Sequence, residues 1–267
     1  MSFDLAQIVS GLLVGLLVGL TGVGGGSLMT PILVFLFGYA PKAAVGTDLL
    51  FAAITKSGGV FVHHGKHRSV EWTIVMKLCL GSIPAALLVI YLLEKVFTKD
   101  EAVTSVITFS LGVALIFTSL ALFVRNRLIS RRLQDDVARE RLLHQERFGR
   151  WQDALTVLVG LVLGVLVTLS SVGAGALGTI ALLFLYPRLP TVRIVGTDLA
   201  HAIPLTAVAG LGHLHMGNVD FGLLGSLLIG SLPGIYVGSH LSARIPEKVL
   251  RPILATLLML IGIKFVL

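Results

Sequence analysis

Two glycine-rich runs and two aspartates hold most of the chemistry this sequence can offer. The first run is Gly22-Val23-Gly24-Gly25-Gly26-Ser27 and the second is Ser171-Val172-Gly173-Ala174-Gly175. An apolar stretch of about ten residues follows each, 28–37 and 176–185. In hydrocarbon an unpaired peptide group costs several kcal/mol, so a non-helical run at that depth has to be buried in protein or line a wet cavity. A helix starting just after such a run offers N–H groups without intrahelical partners and the positive end of its dipole, which together suit an anion. Ser27 is placed to act as an N-cap. Thr21, Ser27, Ser170 and Ser171 add hydroxyl donors. The candidate anion ligands are therefore Thr21, Gly22, Gly24, Gly25, Gly26 and Ser27 in one run, and Ser170, Ser171, Gly173 and Gly175 in the other. Glycine can instead serve only close helix packing, and that reading fits Gly11, Gly15, Gly160 and Gly164 at four-residue spacing.

Asp48 and Asp198 stand in the same five-residue setting, Val-Gly-Thr-Asp-Leu. A carboxylate in or near a membrane helix is expensive and points to function, here loading and release of a coupling ion, H⁺ or Na⁺. The competing reading is that Thr47 or Asp48, and likewise Thr197 or Asp198, cap a helix start. Lys56 could offer its charge to an anion, pair with Asp48 two turns earlier, or snorkel; its counterpart in the second half is Thr206. Lys77, close to Trp72, is expected to snorkel. His63, His64, His67, His213 and His215 read as surface histidines at loop edges, without the carboxylates of a metal motif. Cys79 is the only cysteine, which rules out an intrachain disulfide and leaves a small packing residue. No nucleophile elbow, HExxH helix or phosphate loop is present, so neither enzyme nor cofactor is expected.

The elements that hold these residues are those of an all-α polytopic membrane protein. Of 267 residues 55% are hydrophobic and 13% charged, too little polar surface for a soluble globule of this size. The net charge of +7 does not indicate nucleic acid, because eight of the 21 basic residues fall between 125 and 150, between apolar spans. Residues 1–7 contain an Asp and no Lys or Arg, a poor start for a cleaved signal peptide, so the first apolar run is expected to be a retained span. Ten helical elements are expected, the second and seventh only about 15 Å long, half a bilayer.

The order of the elements repeats. At an offset of 149, Gly11, Gly15, Gly24, Gly26, Thr30 and Pro41 meet Gly160, Gly164, Gly173, Gly175, Thr179 and Pro190. After one inserted residue, Asp48 meets Asp198 and His63 meets His213; then Gly81, Ser82 and Pro84 meet Gly230, Ser231 and Pro233. Two homologous five-helix halves follow, residues 1–124 and 151–267, joined by a basic loop at 125–150. If all ten elements cross, the repeat is inverted, and fifteen Lys and Arg fall on one side against three on the other. That asymmetry puts the loop in the cytoplasm and both termini outside. Re-entrant short elements, with eight crossings, divide the same charges nearly evenly. The loop itself reads as a solvated linker, with a short amphipathic helix on the headgroups as the alternative.

These features, Gly-Val-Gly-Gly-Gly-Ser-Leu followed by Pro31, Ala44-Val45-Gly46-Thr47-Asp48, the His-Gly region after it and their second-half echoes, resemble the TauE/SafE family of prokaryotic membrane proteins. The resemblance covers nearly the whole chain except the central loop. It implies a cytoplasmic-membrane transporter of small sulfur-containing anions such as sulfite, sulfonate or thiosulfate, coupled to an ion gradient. The second run departs from the first, with Ala174 and Ala176 where Gly25 and Ser27 stand, so the stronger expectation falls on residues 22–27. The partners expected are the anion, the bilayer and H⁺ or Na⁺, with no nucleic acid and with self-association left open. An anion channel, and a membrane sensor or assembly factor recruiting a protein through the basic loop, are the rival readings.

Overall fold

The computed structural model describes residues 5–21, 26–67, 70–96, 100–134, 151–241 and 247–267. Ten helices and no strand occur among them: α1 (Leu5–Thr21), α2 (Gly26–Phe35), α3 (Pro41–His67), α4 (Trp72–Lys95), α5 (Asp100–Gln134), α6 (Gln152–Ser170), α7 (Leu177–Leu185), α8 (Thr191–His215), α9 (Phe221–Leu241) and α10 (Glu247–Val266). Five stretches are long and apolar enough to cross a membrane: Trp72–Lys95, Glu101–Val124, Gln152–Ser170, Thr191–His215 and Phe221–Gly238. The outer face of α4 shows why lipid is the solvent. Met76, Leu80, Leu87, Leu88 and Tyr91 are all more than half exposed, where a water-soluble helix would present charges.

Both short helices are present, with 10 residues in α2 and 9 in α7. Several boundaries differ from the sequence expectation. Helix α5 runs through Gln134, so the first ten residues of the basic segment continue a membrane helix instead of forming a linker; residues 135–150 lie outside the described residues. Pro41 opens α3 at a first-turn position, where its missing N–H and fixed φ do no harm. Asp48 therefore stands two turns inside the helix, and capping its own helix start is excluded. Pro84 and Pro233 sit inside α4 and α9, as membrane helices tolerate when neighbours satisfy the freed carbonyls.

Helix pairing is symmetric under exchange of the halves. Helix α1 packs along α9 and α6 along α4; α3 crosses α8, and α5 crosses α10; α2 lies on α3 as α7 lies on α8. Each half thus lends its first helix to the other. Glycines make these approaches possible. A Cβ on Gly11 would meet Leu227 O at 2.5 Å, and on Gly15 the Cα of Ser231 at 2.7 Å. Gly160 and Gly164 face Leu78 and Ser82 in the same way, with Cα atoms at 3.0 and 2.8 Å from such a Cβ. The four glycines assigned to packing do pack. Gly112 and Gly262 bring α5 and α10 equally close: a Cβ added to either would lie 2.9 Å from the other's carbonyl oxygen.

Threonines tie the halves together at the same crossings. The backbone N–H of Asp220, just ahead of α9, donates to Thr47 Oγ1 at 3.0 Å, and that of Glu71, the N-cap of α4, donates to Thr197 Oγ1 at 3.0 Å. Each threonine satisfies an orphan donor at a helix start of the opposite half. Capping by the Val-Gly-Thr-Asp-Leu segments is therefore real, but the helix capped is not the one that carries them.

Candidate functional site

The second glycine-rich run is a turn buried in protein. Helix α6 stops at Ser170, α7 begins at Leu177, and every residue from 171 to 176 is buried. Ser171 ends α6 with φ 58°, the only non-glycine positive φ among the described residues; Gly173 and Gly175 have φ 117° and 121°. The left-handed region costs an L-residue about 1–2 kcal/mol, which glycine avoids. Ser170 supports the turn by donating to Leu166 O at 2.6 Å and accepting from the N–H of Val172 at 3.2 Å. The N–H groups of Leu177 and Gly178 both donate to Gly173 O, at 3.1 and 3.4 Å. These first donors of α7 were expected to be free for a ligand, and the turn uses them itself.

The first run is described only in part. Gly22, Gly24 and Gly25, and the side chains of Thr21 and Ser27, lie outside the described residues. Helix α2 starts at Gly26, so Ser27 belongs to its first turn and is not the N-cap.

Both aspartates are buried where α3 and α8 meet the short helices, at 0% exposure for Asp48 and 1% for Asp198. Thr30 of α2 donates to Asp48 Oδ2 at 2.5 Å, and Thr179 of α7 lies 2.7 Å from Asp198 Oδ2. These are the same residues in the two halves. Thr179 Oγ1 is also 2.5 Å from Gly175 O. The single hydroxyl proton of Thr179 is shared between these two acceptors. Gly178 packs directly on the Asp198 carboxylate, leaving no room for a side chain.

Lys56 is the charge between them. It is buried, so snorkelling is excluded, and its Nζ donates to Ala174 O of the second turn at 3.3 Å. Its ammonium faces both Asp198 and Asp48 electrostatically, and His201 besides. Ser171 lies against the Asp48 carboxylate. The site thus draws on both halves: Asp48 and Lys56 from α3, Asp198 from α8, and the second turn.

Sequence reasoning missed His201 and Ser82. Both are fully buried, and Ser82 Oγ of α4 is 2.9 Å from His201 Nε2. The available signal was spacing: His201 follows Asp198 by three residues and shares its helix face. His213 corrects a different expectation. It is not a surface histidine but fully buried, with Nε2 3.0 Å from Thr168 O and Nδ1 3.4 Å from Asn218. Helix α8 extends to His215, past the expected end at 212, which carries His213 inside the bundle and leaves His215 exposed. Lys77 forms an ion pair with Asp153 of α6.

A multi-pass helical bundle with a buried, charged, half-duplicated site belongs to the class of membrane transporters, and the comparisons agree. The family profile described as Sulfite exporter TauE/SafE matches residues 7–265, and the chain belongs to that family. It is 39% identical to the probable membrane transporter protein YjnA of Bacillus subtilis (strain 168), over 97% of this chain and 98% of the relative. Probable membrane transporter protein YdhB of the same organism is 26% identical over 93% and 96%, and MJ0441 of Methanocaldococcus jannaschii, also a probable membrane transporter protein, 26% over 96% and 92%. No solved structure matches significantly.

Proposed function

We propose that this chain is a secondary transporter that moves a small sulfur-containing anion of the sulfite, sulfonate or thiosulfate type across the cytoplasmic membrane, coupled to an ion gradient. The observation that carries the reading is the pair of repeated, buried Thr–Asp contacts, Thr30–Asp48 and Thr179–Asp198, sharing one buried lysine. The family's description supports the choice of sulfur anions.

Charge makes coupling necessary. Lys56 balances one of two carboxylates, so an anion entering beside both would meet about 2.8 kcal/mol of repulsion from each at about 6 Å and an effective dielectric near 20. Proton uptake by Asp48 or Asp198 removes that repulsion. Anion and proton then travel together, with an inverted repeat rocking around the site to open it to either side. The second glycine-rich turn, residues 170–175, encloses the anion, with residues 22–27 as the other candidate ligands, the basic segment faces the cytoplasm and both termini lie outside.

Counterflow in liposomes tests this. Preloaded sulfite should accelerate uptake of labelled sulfite, and uptake should alkalinise the side from which the anion leaves. Asp48→Asn and Asp198→Asn should retain exchange while losing acceleration by a pH gradient. Conductance without counterflow would establish a channel, and pH-driven uptake intact in both variants would remove the carboxylates from coupling.

A further inference from the structure

The two halves agree at their aspartates and threonines and disagree at three positions around Lys56. Lys56 corresponds to Thr206, His201 to Phe51, and Ser171 to Gly22. In each case the polar or cationic member is the one beside the second turn. Lys56 reaches that turn through Ala174 O, His201 lies within electrostatic range of Lys56, and Ser171 begins the turn.

His201 Nδ1 is buried without a hydrogen-bond partner, and Ser171 Oγ and Asp48 Oδ1, also buried and outside hydrogen-bonding geometry, lie against one another in the same cluster. Buried polar groups are nearly always paired, so a concentration of unpaired ones marks a place for an occupant. Ser171 sharpens the point. It holds a left-handed backbone conformation that glycine would adopt without strain, and strain retained at a buried site points to a use for the side chain. The Ser82 Oγ–His201 Nε2 contact can run in either direction; when Ser82 donates, the imidazole carries its proton on Nδ1, the unpaired atom. Lys56 has three N–H donors and one acceptor among the described residues, Ala174 O.

We propose that the anion is bound asymmetrically, one per chain, at the second glycine-rich turn, with Lys56 Nζ, His201 Nδ1–H and Ser171 Oγ–H as its donors. This rests on the transporter reading and locates its anion. The α7 N-terminus contributes little, because Leu177 and Gly178 already donate to Gly173 O. Lys56 supplies the charge, and the neutral donors favour an oxyanion that can accept from several directions. Asp48 and Asp198, the carboxylates that face Lys56 from α3 and α8, stay with the coupling proton.

Thermal stabilisation of purified protein by sodium sulfite, thiosulfate, sulfate, phosphate and chloride, together with counterflow, provides the test. Hydrogen bonds to charged groups predict a loss of about 10- to 100-fold in sulfite affinity for Lys56→Thr and for His201→Phe, each taking the residue of the other half. Lys56→Arg should stay within a few-fold of wild type. His201→Asn keeps a donor near Nδ1 and loses the Ser82 contact, whereas His201→Gln does the reverse; the Asn variant should bind better, and a purely structural histidine would give the opposite order. Ser171→Gly should melt higher than wild type and bind sulfite more weakly. Folded Lys56→Thr and His201→Phe proteins binding sulfite within twofold of wild type would overturn the assignment and leave the transporter reading standing. Where those two variants do not fold, the Asn-against-Gln order and the Ser171→Gly result decide. Binding of only chloride or phosphate, lost in Lys56→Thr, would uphold this site and remove the sulfur specificity. A wild type that binds no anion would overturn both.

Discussion

Gly15→Ala and Gly164→Ala place one methyl group at equivalent points of the α1–α9 and α4–α6 crossings, and the structure sets the size of the effect. The added Cβ would lie 2.7 Å from Ser231 Cα in the first case, and 2.8 Å from Ser82 Cα and 2.9 Å from Ala85 Cβ in the second. Ordinary carbon contacts are about 3.5–4.0 Å, so the helices must part by roughly 1 Å. A gap of that size forfeits a quarter to a half of each contact's attraction, and some twenty contacts of about 0.15 kcal/mol then lose about 0.75–1.5 kcal/mol. Lipid offers no hydrophobic compensation, because tails are as apolar as the helices they would replace. Alanine's better helix propensity returns up to about 1 kcal/mol in a helix interior, so the net loss per site is at most about 0.5 kcal/mol where that return is full, and the double variant should roughly double it. Cys79 supplies the assay. It is the only thiol, half-buried on α4 against Val70, Val75 and Ala200, so a thiol-reactive dye reports opening of α4 during a thermal ramp. Gly164→Ala should label at lower temperature than wild type and Gly15→Ala less markedly, being at the distant crossing. Unchanged labelling in the double variant would mean that these crossings accept a Cβ and that the glycines are not what sets the spacing.

The remaining predictions concern the ties between halves and the topology. Thr47→Val and Thr197→Val each remove a cap from the opposite half, and each should lower stability by about 0.5–2 kcal/mol in chemical denaturation, with similar effects from the two sites. Thr30→Val and Thr179→Val should weaken coupling of anion uptake to the pH gradient, because each strips its aspartate of a hydroxyl partner; unchanged pH dependence would separate the threonines from coupling. With Cys79 replaced by Ala, a cysteine introduced at Gln145 should label with a membrane-impermeant maleimide only after cells are opened, and one appended after Leu267 should label in intact cells. The reverse pattern would invert the proposed orientation.

Much of the fold was legible because the physics of a bilayer leaves few choices. Apolar length gives helices, two runs of about ten residues give half-helices, and glycine at four-residue spacing gives close crossings, as Gly11, Gly15, Gly160 and Gly164 show. What the sequence could not show was which half each helix serves. Periodicity is a local property, and the pairing of α1 with α9 or of Thr47 with the N–H of Asp220 spans most of the chain. The same limit hid the site. Asp48 and Asp198 stood out because charge in an apolar span is rare, and Thr30 and Thr179 were visible as repeat markers without a role. His201 was passed over because its counterpart is Phe51, so repetition, the strongest signal in the sequence, pointed away from it.

Duplication makes every site twice, and two equal anion sites facing one another near the middle of a membrane would repel when both are filled, by about 2 kcal/mol at 8 Å and an effective dielectric of 20. The arrangement that avoids this keeps duplicated what must act alike in both halves and differentiates what must bind once. The Thr–Asp pairs, the threonine caps and the glycine crossings are duplicated. Lys56, His201 and Ser171 are not, and all three enrich the same turn with donors. Restoring the symmetry is therefore the informative perturbation: Thr206→Lys adds a second buried cation opposite the first, and should bring in a second anion or a loss of selectivity for monovalent over divalent oxyanions. A Thr206→Lys protein with wild-type stoichiometry and selectivity would show that asymmetry at these positions has nothing to do with how many anions the site holds.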